Sequence, residues 1–175
     1  MTNAVVYSSV TGNTKLLAET IKNQISRESL LYFGPPQEEA LKADRIYVGF
    51  WTDKGGCDRQ TAQFLKTITT QEVYLFGTAG FGENAEYYER ILKHTMKHIP
   101  KSASILGTFM CQGKMPLTVR QRYEKMQKSP FKIHNVQGMI ENFDRALEHP
   151  NREDLNMLRK QFFLSDGGSH IHWMR

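Results

Sequence analysis

At 175 residues, with 39% hydrophobic and 23% charged residues, the chain has the composition of a one-domain globular protein; 13 glycines, 6 prolines and 2 cysteines exclude collagenous, disordered and disulfide-framework classes. A mean hydropathy of −0.52, with no apolar run near the ~18 residues of a membrane span, leads us to expect a soluble protein. The formal charge of +5 is concentrated: Glu89 to Lys132 holds ten Lys/Arg against two acids, a stretch that can dock an acidic protein or nucleic acid, or simply stay solvated.

The opening Met1-Thr2-Asn3 lacks the basic region of a secretory signal, so a cytoplasmic protein is expected, with Cys57 and Cys111 as free thiols. Ala4-Val5-Val6-Tyr7 is too short for a helix and rich in strand formers, and it predicts a buried strand. Ser8 to Thr14 is polar. From Lys15 the period changes: Leu17, Ile21 and Ile25 recur at every fourth position and predict an amphipathic helix ending near Ser26. Leu30 to Phe33 predicts a second strand, Glu38 to Ala43 one or two helical turns, and Arg45 to Phe50 a third strand. Trp51 to Cys57 reads as a loop with paired glycines. Thr61, Phe64, Leu65 and Ile68 mark a helix, Val73 to Phe76 a fourth strand, and Gly77 to Gly82 a glycine-rich turn. Tyr88, Ile91, Leu92 and Met96 form a helical stripe before a fifth strand at Ser104 to Met110.

Strands alternating with helices need crossover connections, which predicts a parallel sheet with helices on both faces. After Cys111 the alternation stops. Val119, Tyr123 and Met126 give one helical stripe, expected to pack on the outer part of the sheet and leave Arg120, Arg122, Lys125 and Lys128 outward; Met139, Phe143 and Leu147 give another. Asn151 is placed to cap a last helix, with Glu153 and Asp154 in its first turn and Leu155, Leu158 and Phe162 facing the core. The expected organisation is one domain over residues 1–164, with a helical insertion at about 112–149, then a tail over 165–175.

The segment Ser8-Ser9-Val10-Thr11-Gly12-Asn13-Thr14 lies between the first strand and the first helix. There the free N–H groups and positive dipole end of a helix meet several hydroxyls, a setting for a phosphate dianion or for a hydroxyl-rich helix cap. It ends in no Gly-Lys-Ser/Thr and contains no G-x-G-x-x-G. The pattern S-x-x-T-G-N-T after a first strand resembles the phosphate loop of flavodoxins, which hold flavin mononucleotide (FMN). The resemblance extends over Ala4 to Met110 and the last helix.

That resemblance implies a three-layer α/β flavodoxin-like fold, with a five-stranded parallel sheet of order 2-1-3-4-5 and the ligand at the carboxyl ends of the strands. It implies that Ser8, Ser9, Thr11, Gly12, Asn13 and Thr14 bind the phosphate. Trp51 and Thr52 would open the first flavin-flanking loop, Trp51 offering its ring face, and Gly55 or Gly56 would turn a peptide toward the flavin N5. Gly77, Thr78, Ala79 and Gly80 would bring backbone amides to the pyrimidine edge, with Phe81, or else Tyr87 or Tyr88, over the second ring face.

Two features depart from the family. Flavodoxins are typically acidic, whereas this chain has a pI of about 9.2. Lys114, at the exit of the fifth strand, would favour the reduced anion if placed near the flavin N1 and C2=O, and would do nothing if left in water. Neither cysteine has a histidine at activating spacing, and His94 and His98 lack a third ligand in sequence, so no catalytic or metal residue is expected. The leading reading is an FMN-dependent electron carrier between a reductase and an acceptor enzyme, whose partners are proteins with an acidic docking surface, not membranes or nucleic acid. An FMN-dependent NAD(P)H oxidoreductase, its dinucleotide phosphates held by basic residues between 114 and 128, and a basic nucleic-acid-binding module stay open beside it.

Overall fold

The short apolar runs become strands and the four-residue repeats become helices. The computed structural model describes residues 1–82, 84–130 and 134–167. Its elements are β1 (Asn3–Tyr7), α1 (Asn13–Lys22), β2 (Leu30–Gly34), a 3-10 turn (Glu38–Lys42), β3 (Arg45–Asp53), β4 (Gly56–Cys57), α2 (Arg59–Leu65), β5 (Glu72–Ala79), α3 (Ala85–Met96), β6 (Ser104–Gln112), α4 (Leu117–Gln127), α5 (Val136–Ala146) and α6 (Arg152–Gly167). The main sheet is parallel, in the order β2-β1-β3-β5-β6. With β4 set aside as a ribbon on the end of β3, this is the expected five-stranded order.

Side chains alternate across the sheet and make two cores. Ala4, Val6, Ile46, Val48, Phe50, Val73 and Leu75 pack with Phe64 and Leu65 of α2 and Ile91 of α3. On the other face Val5, Tyr47, Tyr74, Phe76 and Phe109 pack with Leu17, Ala18 and Ile21 of α1 and Leu158 and Phe162 of α6. Each large apolar chain so buried contributes about 1.5–3 kcal/mol, which is what docks α1 and α6. The start of α6 is fixed as expected: Asn151 Oδ1 accepts from the N–H of Glu153 (2.9 Å) and Asp154 (3.1 Å), and Asp154 Oδ2 accepts from the N–H of Asn151 (2.8 Å).

Several boundaries differ from the sequence expectation. Helix α1 ends at Lys22, short of Ile25. The expected loop from Trp51 to Cys57 is mostly a hairpin: β3 continues to Asp53 and β4 folds back on it, pairing Thr52 with Cys57 and Asp53 with Gly56. Lys54 and Gly55 form its turn with φ of 48° and 83°, the mirror-image type whose twist matches the strands. Gly77, Thr78 and Ala79 belong to strand β5, not to a turn.

The insertion also differs. Val119, Tyr123 and Met126 do not pack on the sheet; with Met115 they meet Val136, Met139, Ile140 and Phe143 of α5 in a separate small core. Leu147, expected inward, is 53% exposed. Helix α6 continues to Gly167, past the expected boundary at 164. Of the expected tail, residues 168–175 lie outside the described residues. Among the described residues, no helix is long and apolar enough to cross a membrane.

Candidate functional site

The carboxyl ends of β1, β3 and β5 bring the three sequence-predicted loops together. After β1, the N–H of Ser8 still pairs with the Gly49 carbonyl (3.0 Å), and the chain then leaves the sheet. Gly12 precedes α1 in the left-handed region at φ 86°, a conformation that costs any side chain with a Cβ about 1–2 kcal/mol. A Cβ there would meet nothing within 4 Å, so the backbone faces open space. Among the described residues, none accepts from the N–H of Ser9, Val10, Thr11, Gly12, Asn13 or Thr14. The first turn of α1 carries no acid. A run of unpaired donors at the positive end of a helix fits a phosphate dianion.

The side chains of the loop divide by task. Ser9 Oγ accepts from the N–H of Lys15 (3.3 Å). The Thr14 hydroxyl is buried; it donates to the Phe50 carbonyl (3.3 Å) and lies 3.1 Å from the Thr78 hydroxyl, so Thr14 ties the helix to β3 and β5. Asn13, 6% exposed, donates from Nδ2 to the Lys114 carbonyl (2.9 Å), while its Oδ1 is buried without a partner. Among the described residues, the Ser8 and Thr11 hydroxyls have no hydrogen-bond partner, like the N–H groups beside them.

Trp51 is half-buried near the end of β3 and stands in register with Thr78 of β5. Its neighbour Thr52 donates from its hydroxyl to the Thr78 carbonyl (2.9 Å), which holds the two strand ends together. Of the paired glycines, Gly55 is exposed at the turn, whereas Gly56 is buried in β4 against the His94 ring. His94 Nδ1 lies 3.3 Å from the Gly55 carbonyl. Beyond Ala79, Phe81 is 39% exposed and sits edge-on to Tyr87, with ring centroids 6.4 Å apart. Two residues that sequence reasoning missed hold the Gly80 to Gly82 segment: Gln112 at the end of β6 and Asn142 on α5.

A cleft of about 350 Å³ opens beside the Ser8 to Thr14 loop, lined by Thr11, Gly12, Asn13, Lys114 and the Leu147 to Pro150 connection. Lys114, at the exit of β6, lines this cleft beside the Thr11 to Asn13 loop. Its N–H donates to the His149 carbonyl (2.9 Å). Arg120 is not an outward charge either: it pairs with Glu124 (3.0 Å) and with Asp144, and lies over the Phe143 ring. Arg122, Lys125 and Lys128 are exposed.

Burial pushes the Cys57 thiol up to about 11 and the Cys111 thiol well above its ordinary range, so neither is a nucleophile at neutral pH. His94 and His98 stack at 6.4 Å between ring centroids. Among the described residues, no group of three metal-ligating side chains converges.

A family model described as flavodoxin domain matches residues 4–163. A flavodoxin-like domain-containing protein BilS of Clostridium symbiosum (strain WAL-14163) is 37% identical over 172 residues, spanning 89% of this chain and 90% of that protein. BilS of Clostridioides difficile (strain CD3) is 33% identical over 162 residues, with the same two coverages. Among solved structures, a short-chain flavodoxin associated with a bacterial microcompartment superposes with a TM-score of 0.51 at 15% identity, covering 83% of this chain and 97% of that one.

Proposed function

The chain belongs to the flavodoxin domain family, and on that premise we propose that it is an FMN-dependent electron carrier of the cytoplasm, passing electrons between a reductase and an acceptor enzyme. The observation that carries the reading is the run of unpaired N–H groups from Ser9 to Thr14 around the left-handed Gly12. When bound, FMN supplies the electron-accepting and electron-donating chemistry.

The chain's own residues bind, orient and exclude water. Ser8 and Thr11 add hydroxyl donors to the backbone N–H groups that take the phosphate, and Lys114 on the adjoining cleft adds positive charge. Trp51 covers one ring face, where stacking is worth about 0.5–1.5 kcal/mol beyond area burial. Phe81 supplies the second face, and the end of β5 from Thr78 to Gly80 supplies backbone groups for the ring edge. The Lys54–Gly55 turn, with the exposed Gly55 peptide, would offer backbone groups to a bound flavin from the same strand end as Trp51. No general acid or base enters this account. The exposed Arg122, Lys125 and Lys128 of α4 dock an acidic partner protein.

A titration of the apoprotein with FMN and with riboflavin tests the reading. Binding of one FMN per chain, about 100-fold tighter than riboflavin because the phosphate contacts are charge-assisted, is expected. Equal affinity for the two flavins, or none for either, overturns it.

A further inference from the structure

Helix α5 buries an apolar face made of Val136, Ile140, Phe143 and Ala146, yet it also buries Asn142, at 5% exposure. A carboxamide in such a place needs partners, and it finds them outside the insertion. Asn142 Nδ2 donates to the Gly80 carbonyl (3.0 Å), and its Oδ1 accepts from the N–H of Gly82 (3.4 Å). Gln112, also 5% exposed, donates from Nε2 to the same Gly80 carbonyl (3.0 Å) and to Asn142 Oδ1 (3.1 Å).

The Gly80 carbonyl thus accepts two buried amide donors. Rotating the Gly80–Phe81 peptide would take that acceptor from both and leave Asn142 Nδ2 without its partner, and in a low-dielectric setting an unpaired buried amide is costly. Packing closes the remaining freedom. A Cβ at Gly80 would lie 2.5 Å from Met115 Sδ, and one at Gly82 would overlap the Gln112 carboxamide. The segment therefore lies against Met115 and Gln112 by its backbone, and a Cβ at either glycine would force those side chains to shift.

We infer that the α4–α5 insertion is a clamp for the flavin-flanking segment after β5, with Asn142 and Gln112 as its positioning residues, so that the insertion sets the potential of the flavin as well as its affinity. The inference rests on the FMN reading for its redox consequence. Its structural part, that Asn142 fixes Gly80 to Gly82, holds for the protein without flavin.

The test compares Asn142→Ala, Gln112→Ala and Val136→Ala in the full chain. Val136→Ala loosens the same small core without touching the segment. Asn142→Ala is expected to weaken FMN and riboflavin by a common factor of about tenfold, the worth of one or two buried hydrogen bonds, to shift the midpoint potentials of the bound flavin, and to speed amide exchange at Gly82 in the apoprotein. Gln112→Ala, which leaves α5 intact, gives smaller shifts of the same sign and stands in for Asn142→Ala if that variant does not fold. Val136→Ala leaves the potentials unchanged. Unchanged potentials and Gly82 exchange in both carboxamide variants, or equal shifts in Val136→Ala, overturn the clamp. Failure of the wild type to bind any flavin overturns the FMN reading instead, and Gly82 exchange in the apoprotein still decides the structural part.

Discussion

Asn13 Nδ2 donates to the Lys114 carbonyl at 2.9 Å, joining the loop after β1 to the exit of β6 across 101 residues of sequence. Gly113 packs against the same amide, so closely that an added Cβ would lie 2.6 Å from Asn13 Nδ2. The loop proposed to take the phosphate is therefore held from both sides, by Thr14 on β3 and β5 and by Asn13 at the exit of β6. Asn13→Ala removes this part-buried bond, which should cost about 0.5–1.5 kcal/mol of stability. Urea unfolding checks it; a midpoint equal to that of the wild type would count against the bond.

Trp51 stands at the end of β3, where a ring ligand would cover it. Its fluorescence should fall on FMN binding, and Trp51→Ala should weaken binding by about 0.5–1.5 kcal/mol beyond the lost area and move the midpoint potentials. Equal quenching in Trp51→Ala would assign the signal to Trp173, which lies outside the described residues.

The thiols give a pH dependence of known sign. Burial raises Cys57 from 9.0 to about 11 in the folded chain, with Asp58 adding to the rise and the Thr95 hydroxyl opposing it. A group with a raised folded-state pKa contributes stability that is complete below the unfolded value and lost as pH climbs through the folded one. Stability should thus decline between about pH 9 and 11, and alkylation by iodoacetamide at pH 8 should be slow until the chain is unfolded. Rapid labelling of the native protein at pH 8 would show an exposed thiolate.

The charge on α4 separates docking from folding. Reversing Arg122, Lys125 and Lys128 to Glu should slow electron transfer to the cognate enzyme about tenfold at low salt and little at high salt, with FMN affinity unaltered. Arg120→Ala should instead destabilise the α4–α5 pair by about 0.5–1 kcal/mol, since its partners Glu124 and Asp144 lie on both helices. Tight, salt-sensitive binding of RNA or DNA by the wild type, abolished in the triple reversal, would redirect the account to nucleic acid.

The parts of the site legible in the sequence are those where the hydrophobic period changes. The switch from Ala4–Tyr7 to Leu17 and Ile21 brackets the Ser8 to Thr14 loop, whose hydroxyls at a helix N-terminus suit a phosphate dianion or a helix cap, and only the family resemblance points to the phosphate. The hairpin after Trp51 was hidden because its turn is Lys54-Gly55, and a lysine at positive φ gives no Asn-Gly or Asp-Gly signal. Asn142 was hidden for a different reason. A polar residue on a helix reads as solvent-facing, and the stripe Met139, Phe143 and Leu147 covers only part of the buried face, which also takes in Val136, Ile140, Asn142 and Ala146 and leaves Leu147 out. Only the folded insertion brings Asn142 to Gly80. Arg120 was similarly illegible, because Asp144 is nearby in space and not in sequence.

The carrier reading is tested most directly by mixing the FMN-loaded protein with NADPH under anaerobic conditions and recording the visible spectrum. The yellow colour should persist with NADPH alone and bleach once a separate reductase is added. Rapid bleaching by NADPH without a reductase would contradict the carrier reading and make the protein an FMN-dependent NADPH oxidoreductase.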